Sequence, residues 1–158
     1  MQYHSEFNFH RSPSRDRTPW NIADQTGDST VVPTFRSFVL LRERLVPYLA
    51  EQGRLCIAQS TPLMRALCFE TVDERQWEFP YQYFLGDDLL VAPVVEEGVT
   101  SQRVFLPDGD WVDASNGSSL VGGRVIENEC PVHRSPVFVA AKRADALAPL
   151  FHDLAEVS

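Results

Sequence analysis

Between Phe35 and Leu49 apolar groups return every three or four residues, at Phe35, Phe38, Val39, the stem of Arg42, Leu45, Val46 and Leu49, with Arg36, Glu43 and Arg44 largely on other faces. That period predicts an amphipathic helix. Asp28, Ser29 or Thr30 can cap its start by accepting backbone N–H bonds, and Pro33 falls in the first turn, where a missing N–H costs little. Pro47 lies too deep for that role and is expected to kink the helix before it continues toward Gln59, with Gly53 weakening the second half. From Pro62 the pattern changes to short Val, Leu, Phe and Trp segments punctuated by Gly, Pro, Asp and Asn. This predicts strands over Leu63 to Glu70, Leu89 to Val95, Arg103 to Leu106, Trp111 to Asp113, Arg124 to Glu127 and Val137 to Ala140, and their spacing suggests a β-sandwich. Residues 1 to about 28 sustain neither period and read as an irregular loop, whereas Ala144 to Leu154 is helix-like.

The chain has 158 residues. That suffices for one ordinary domain of about 100–150 residues, but not for a (β/α)8 barrel of roughly 250 followed by a second domain. The net charge is -8 and Lys142 is the only lysine, which argues against a phosphate-binding surface and hence against a nucleic-acid partner. Cys56, Cys68 and Cys130 are an odd number at wide spacing, supporting neither a disulfide framework nor a zinc site, and a reducing cytoplasm is the expected location. No basic start leads into an apolar run, and no run approaches the ~18 residues of a membrane span, so neither a signal peptide nor a membrane partner is expected. The Asn116-Gly-Ser118 tripeptide matches a glycosylation acceptor but is too short a pattern to carry weight.

The run from Gln82 to Val95 passes from aromatic and polar residues through a Gly-Asp-Asp corner into an apolar stretch broken only by Pro93, which reads as a buried strand leaving a tight turn. Together with Pro62-Leu-Met-Arg-Ala-Leu67, Val104-Phe-Leu-Pro-Asp-Gly-Asp-Trp111 and Arg134-Ser-Pro-Val-Phe-Val139, it resembles glycoside hydrolase family 31, the family of α-glucosidases and α-xylosidases. The likeness runs in order from Met1 to about Ala140.

The resemblance implies an α+β chain: the terminal loop and kinked helix of a (β/α)8 barrel over residues 1–61, an antiparallel β-sandwich over 62–143, and a divergent tail over 144–158. It also implies a retaining exo-α-glycosidase acting on α-glucosides or α-xylosides, with no cofactor and no metal. In the family both catalytic aspartates precede the stretch that Met1 to His4 resembles, so no catalytic residue is expected in this chain and the polypeptide alone is expected to be inactive. Its partners would be a carbohydrate substrate in the full-length context and the missing barrel portion. The alternative is a β-sandwich that binds carbohydrate or another chain without chemistry. Loss of the barrel would leave Phe35, Phe38 and Leu45 as an exposed stripe inviting association.

By the same resemblance, Met1-Gln-Tyr-His4-Ser supplies a substrate-binding histidine, His4, whose neutral imidazole can hydrogen-bond a sugar hydroxyl. His10 is the competing alignment. Arg17-Thr-Pro-Trp20 is similar to the family's Arg-Glu-Pro-Trp, with Trp20 either anchoring the loop or stacking on sugar, and Arg17 tying the loop to a carboxylate. Asp87-Asp88 suggests a catalytic pair, since retaining glycosidases hold two carboxyls about 5–5.5 Å apart. Adjacent residues at a strand entrance point to opposite faces, however, so a turn is the better reading; Glu96-Glu97-Gly98 is a polar turn for the same reason. Trp111, Trp77, Tyr81 and Tyr83 either form a stacking platform or fill a core or inter-domain seam, and aromatic packing is the commoner role.

Overall fold

The computed structural model describes residues 18–131 and 134–156. It begins with a helix where the sequence pattern suggests only loop: α1, Pro19–Thr26, starts on a proline whose fixed φ suits a first helical position. It ends at Gly27, which turns left-handed (φ 69°) and donates its N–H to the Ala23 carbonyl. The Asp28 carboxylate then accepts the Thr30 N–H (2.8 Å) and hydroxyl (2.7 Å), organising the turn into α2, Val31–Gln59. The Thr30 side chain itself makes no cap bond. The long helix runs through Pro47 as one 29-residue element, forgoing the hydrogen bond that residue would donate to the Glu43 carbonyl. Ser60, left-handed at φ 56°, closes it.

Among the described residues eight antiparallel strands follow: β1 (Met64–Ala66), β2 (Tyr83–Leu85), β3 (Leu89–Val91), β4 (Ser101–Leu106), β5 (Asp110–Asp113), β6 (Ser119–Val121), β7 (Arg124–Glu129) and β8 (Val137–Ala140). Six form a sheet in the order β1-β2-β3-β8-β5-β6, and β4 pairs with β7 as a separate ribbon. The expected strand over Leu63 to Glu70 shortens to three residues before a 3-10 turn at Leu67–Phe69. That over Leu89 to Val95 ends its pairing at Val91: the Ala92 N–H goes to the Pro136 carbonyl, and Pro93 has none to donate. Two strands, β2 and β6, have no counterpart in the sequence pattern.

The middle of the six-stranded sheet, β3 and β8, is buried on both faces. In the β3–β8 pair, Leu89 lies opposite Val139 and Leu90 opposite Phe138. Leu89 and Val139 pack with Leu41, Leu45 and Tyr48 of α2, whereas Leu90 and Phe138 pack with Val104, Phe105 and Leu106 of the ribbon and with Trp111. Burial on two sides explains the unbroken apolar text of these strands, and each fully buried Leu, Val or Phe contributes about 1.5–3 kcal/mol. The helix-like tail joins the first core: Ala144–Leu147 forms α3, a 3-10 stretch follows from Ala148, and Leu147, Ala148 and Phe151 are buried against the α2 cluster. The expected exposed stripe is therefore corrected in part, because Leu45 is buried and Phe38 packs against the same core. What α2 exposes instead is its opposite side, with Val32, Val46 and Ile57.

Candidate functional site

The corner between β2 and β3 is where helix and sheet are joined. Gly86 takes φ 65°, and a Cβ placed there would lie 2.5 Å from the Tyr48 hydroxyl and 2.6 Å from Cγ of Gln52, so both the backbone and the space call for glycine. The Tyr48 hydroxyl donates to the Leu85 carbonyl (2.9 Å) and accepts the Asp88 N–H (3.2 Å); Oε1 of Gln52 accepts the Asp87 N–H (2.9 Å). Burial pushes the Tyr48 phenol well above its ordinary pKa, so it remains protonated as a donor.

The two acids of the corner serve different cations. Asp87 accepts from Nη2 of Arg65 (2.7 Å), and Asp88 pairs with Nζ of Lys142 (3.0 Å) beyond β8. Arg65, buried in β1, also bonds Glu70 and the carbonyls of Pro62 and Gly86. Burial works against its charge, but the bonds it donates to Glu70 and Asp87 more than offset this and hold its pKa above the usual value. Two carboxylates committed to cations on different elements do not form a proton-sharing pair, and the turn reading of Asp87-Asp88 stands. Tyr48 and Gln52 escaped the sequence reading, although a polar residue pair four apart continuing the buried stripe of Leu41 and Leu45 was a usable signal.

The aromatic set divides. Trp111 is core: its indole N–H donates to the Pro107 carbonyl (2.9 Å), and its ring lies 6.0 Å from that of Phe84 at 55°. Tyr83 is half-buried in β2. Trp77 and Tyr81, by contrast, are 71% and 63% exposed. Trp77 belongs to a 3-10 turn, Glu74–Glu78, capped by the Asp73 carboxylate, which accepts the Arg75 N–H (2.9 Å) and pairs with its guanidinium. That hydrogen bonding holds the Asp73 carboxyl down at about 2.

Trp20 lies in α1, 60% exposed. The remaining candidates, His4, His10 and Arg17, lie outside the described residues. Among the described residues no group of three His, Cys, Asp or Glu side chains is arranged to hold a metal, and Cys56, Cys68 and Cys130 are free thiols. No helix is long and apolar enough to cross a membrane among those residues.

Comparison with known proteins places this arrangement. The chain is 49% identical over 152 residues to the 1,3-alpha-isomaltosidase of Kribbella flavida, an alignment covering 96% of this chain and 21% of that protein. It is equally similar (49%) to the solved structure of a Kfla1895 mutant in complex with isomaltose, with a TM-score of 0.88 over 96% of this chain and 21% of the other. The cycloalternan-degrading enzyme from Trueperella pyogenes, solved in complex with cycloalternan, matches at 42% identity and a TM-score of 0.83, covering 89% of this chain and 20% of that one. This chain thus spans about a fifth of the length of the relatives it matches. Residues 60–143, β1 to β8 with their connections, match the model of the glycosyl hydrolase family 31 C-terminal domain, and the chain belongs to glycoside hydrolase family 31.

Proposed function

We propose that this chain is the C-terminal part of a retaining exo-α-glycosidase that cleaves α-glucosides, isomaltose-containing oligosaccharides among them, and that its reactive aspartates reside in the upstream barrel. The observation that carries this reading is the 49% identity to an isomaltosidase over 96% of the chain. That likeness reaches beyond residues 60–143 of the family model to include α1 and α2. The α-xyloside alternative has weaker support, since the α-xylosidase relative from Saccharolobus solfataricus is 29% identical.

In this reading residues 1–61 complete the barrel and 62–143 form the domain packed on its end. The two-sided α2 supports it: one side is occupied by the sheet, and the other presents Val32, Val46 and Ile57 to solvent, as a barrel helix separated from its neighbours would. Gly86 and its partners would then fix the angle between barrel helix and sandwich. The chemistry would be two-step: one upstream aspartate displaces the leaving sugar from the anomeric carbon, the other protonates the departing oxygen and then activates water. His4 would hydrogen-bond a sugar hydroxyl during both steps.

The test is to assay isomaltose release by residues 1–158 alone and after joining them to the upstream portion of the Kribbella flavida enzyme in place of its own C-terminal fifth. No turnover is expected alone and measurable turnover when joined, with kcat/KM falling at least about tenfold on His4→Ala. Turnover by the chain alone, or a folded but inert joined protein, overturns the proposal.

A further inference from the structure

On the ribbon side of the sheet, a groove of about 410 Å³ runs between the Phe79–Gln82 segment, the Ala92–Val99 connection and the first half of β4. That volume falls within the range of about 300–1,000 Å³ usual for small-molecule sites. Its floor is rigid. Gln82 spans it with two bonds to the Phe105 backbone, accepting the N–H and donating to the carbonyl, each at 2.9 Å. Gln102 donates from Nε2 to the Ala92 carbonyl at 2.8 Å. On the walls stand the exposed ring of Tyr81, the ion pair of Glu78 with Arg103 (3.2 Å), and Glu96. The Arg103 guanidinium lies 5.5 Å from the centre of the Phe79 ring.

We propose that this groove binds an α-linked gluco-oligosaccharide. A pyranose presents an apolar C–H face and a rim of hydroxyls that both donate and accept, so its recognition needs a solvent-facing aromatic ring beside acceptors and donors together. Tyr81 supplies the ring, Glu78 and Glu96 accept, and Arg103 donates. Two acids against one cation give no attraction for an anionic ligand, which points away from phosphates. Because the floor bonds are already made, the ordering cost of the floor itself on binding is small. The groove opens on the layer opposite α2, away from the side that presents Val32, Val46 and Ile57. The choice of an α-linked glucose chain rests on the glycosidase reading above; the groove itself is argued from its own walls.

The test is titration of the 158-residue chain with isomaltotriose, by calorimetry and by amide NMR shifts. The expected result is a Kd of about 1 mM or tighter, with shifts confined to the groove residues. Tyr81→Ala and Arg103→Ala should each weaken binding at least about tenfold, and Val121→Ala on the far edge strand should leave it unchanged. Tyr81 and Arg103 are exposed, so unchanged melting temperatures verify that the variants fold. No binding at about 10 mM ligand, shifts centred elsewhere, or equal weakening by Val121→Ala overturns the proposal. An active joined enzyme whose C-terminal part binds no isomaltotriose rejects the groove alone; groove binding beside an inert joined enzyme rejects the glycosidase reading alone.

Discussion

The two sides of the central sheet use polar residues in opposite ways. On the helix side, Tyr48 and Gln52 spend their hydrogen bonds on the Gly86–Asp88 corner, and the space above Gly86 is filled. On the ribbon side, Gln82 and Gln102 bond to backbone beneath an open groove, and the Tyr81 ring on its wall faces water. The first arrangement joins two elements. The second holds a surface in shape and leaves its outer groups available. A buried polar network with every partner found is therefore a mark of assembly, whereas recognition is better sought where a satisfied floor carries exposed walls.

The contrast is broken most forcefully at the corner. Gly86→Ala forces a left-handed alanine, costing about 1–2 kcal/mol, and adds a Cβ clash costing about 1–3 kcal/mol. Chemical denaturation should report a loss near the sum, while a loss below about 0.5 kcal/mol would mean that α2 is not held at this corner. Tyr48→Phe comes next. It strands the Leu85 carbonyl and the Asp88 N–H, and the expected loss is about 1–3 kcal/mol in the same measurement. An unchanged stability would show that the hydroxyl does no more than fill space.

The smallest effect belongs to the exposed turn at Glu74–Glu78. The Asp73 carboxyl is held down to about 2 from an ordinary 3.8, chiefly by the side-chain hydrogen bond from Arg75. A depressed carboxylate contributes fully above about pH 4, and that contribution is lost as pH falls through about 2. The indole NMR signal of Trp77, in the turn that Asp73 caps, should accordingly titrate with a midpoint near 2. A midpoint near 4 would show that the cap is not made in solution.

Much of this was legible in the residues, for local reasons. The α2 period depends on neighbours three and four positions apart, so Leu45 and Leu49 announce it without any other element present. The strands buried on both faces, Leu89–Val91 and Val137–Ala140, show as apolar runs. The Asp87-Asp88 turn followed from strand geometry alone. Less visible were α1, whose eight residues have no buried member to set a period, and β2 and β6, three residues each, too short to show alternation. The separation of buried Trp111 from exposed Trp77 was equally hidden, because residue type is the same in a core and at a surface.

By itself, then, the order of side chains determined the long helix, the apolar strands and the glycine corner, together with the motifs that tie the chain to its family. Each of these is written within a few residues of where it acts. Tertiary structure alone decided that β8 inserts between β3 and β5, that the tail buries Leu147 and Phe151 on α2, and which aromatic rings face water. Those outcomes depend on pairings across tens of residues, and they are chosen by the total apolar surface the folded chain can bury, a quantity that no short segment records.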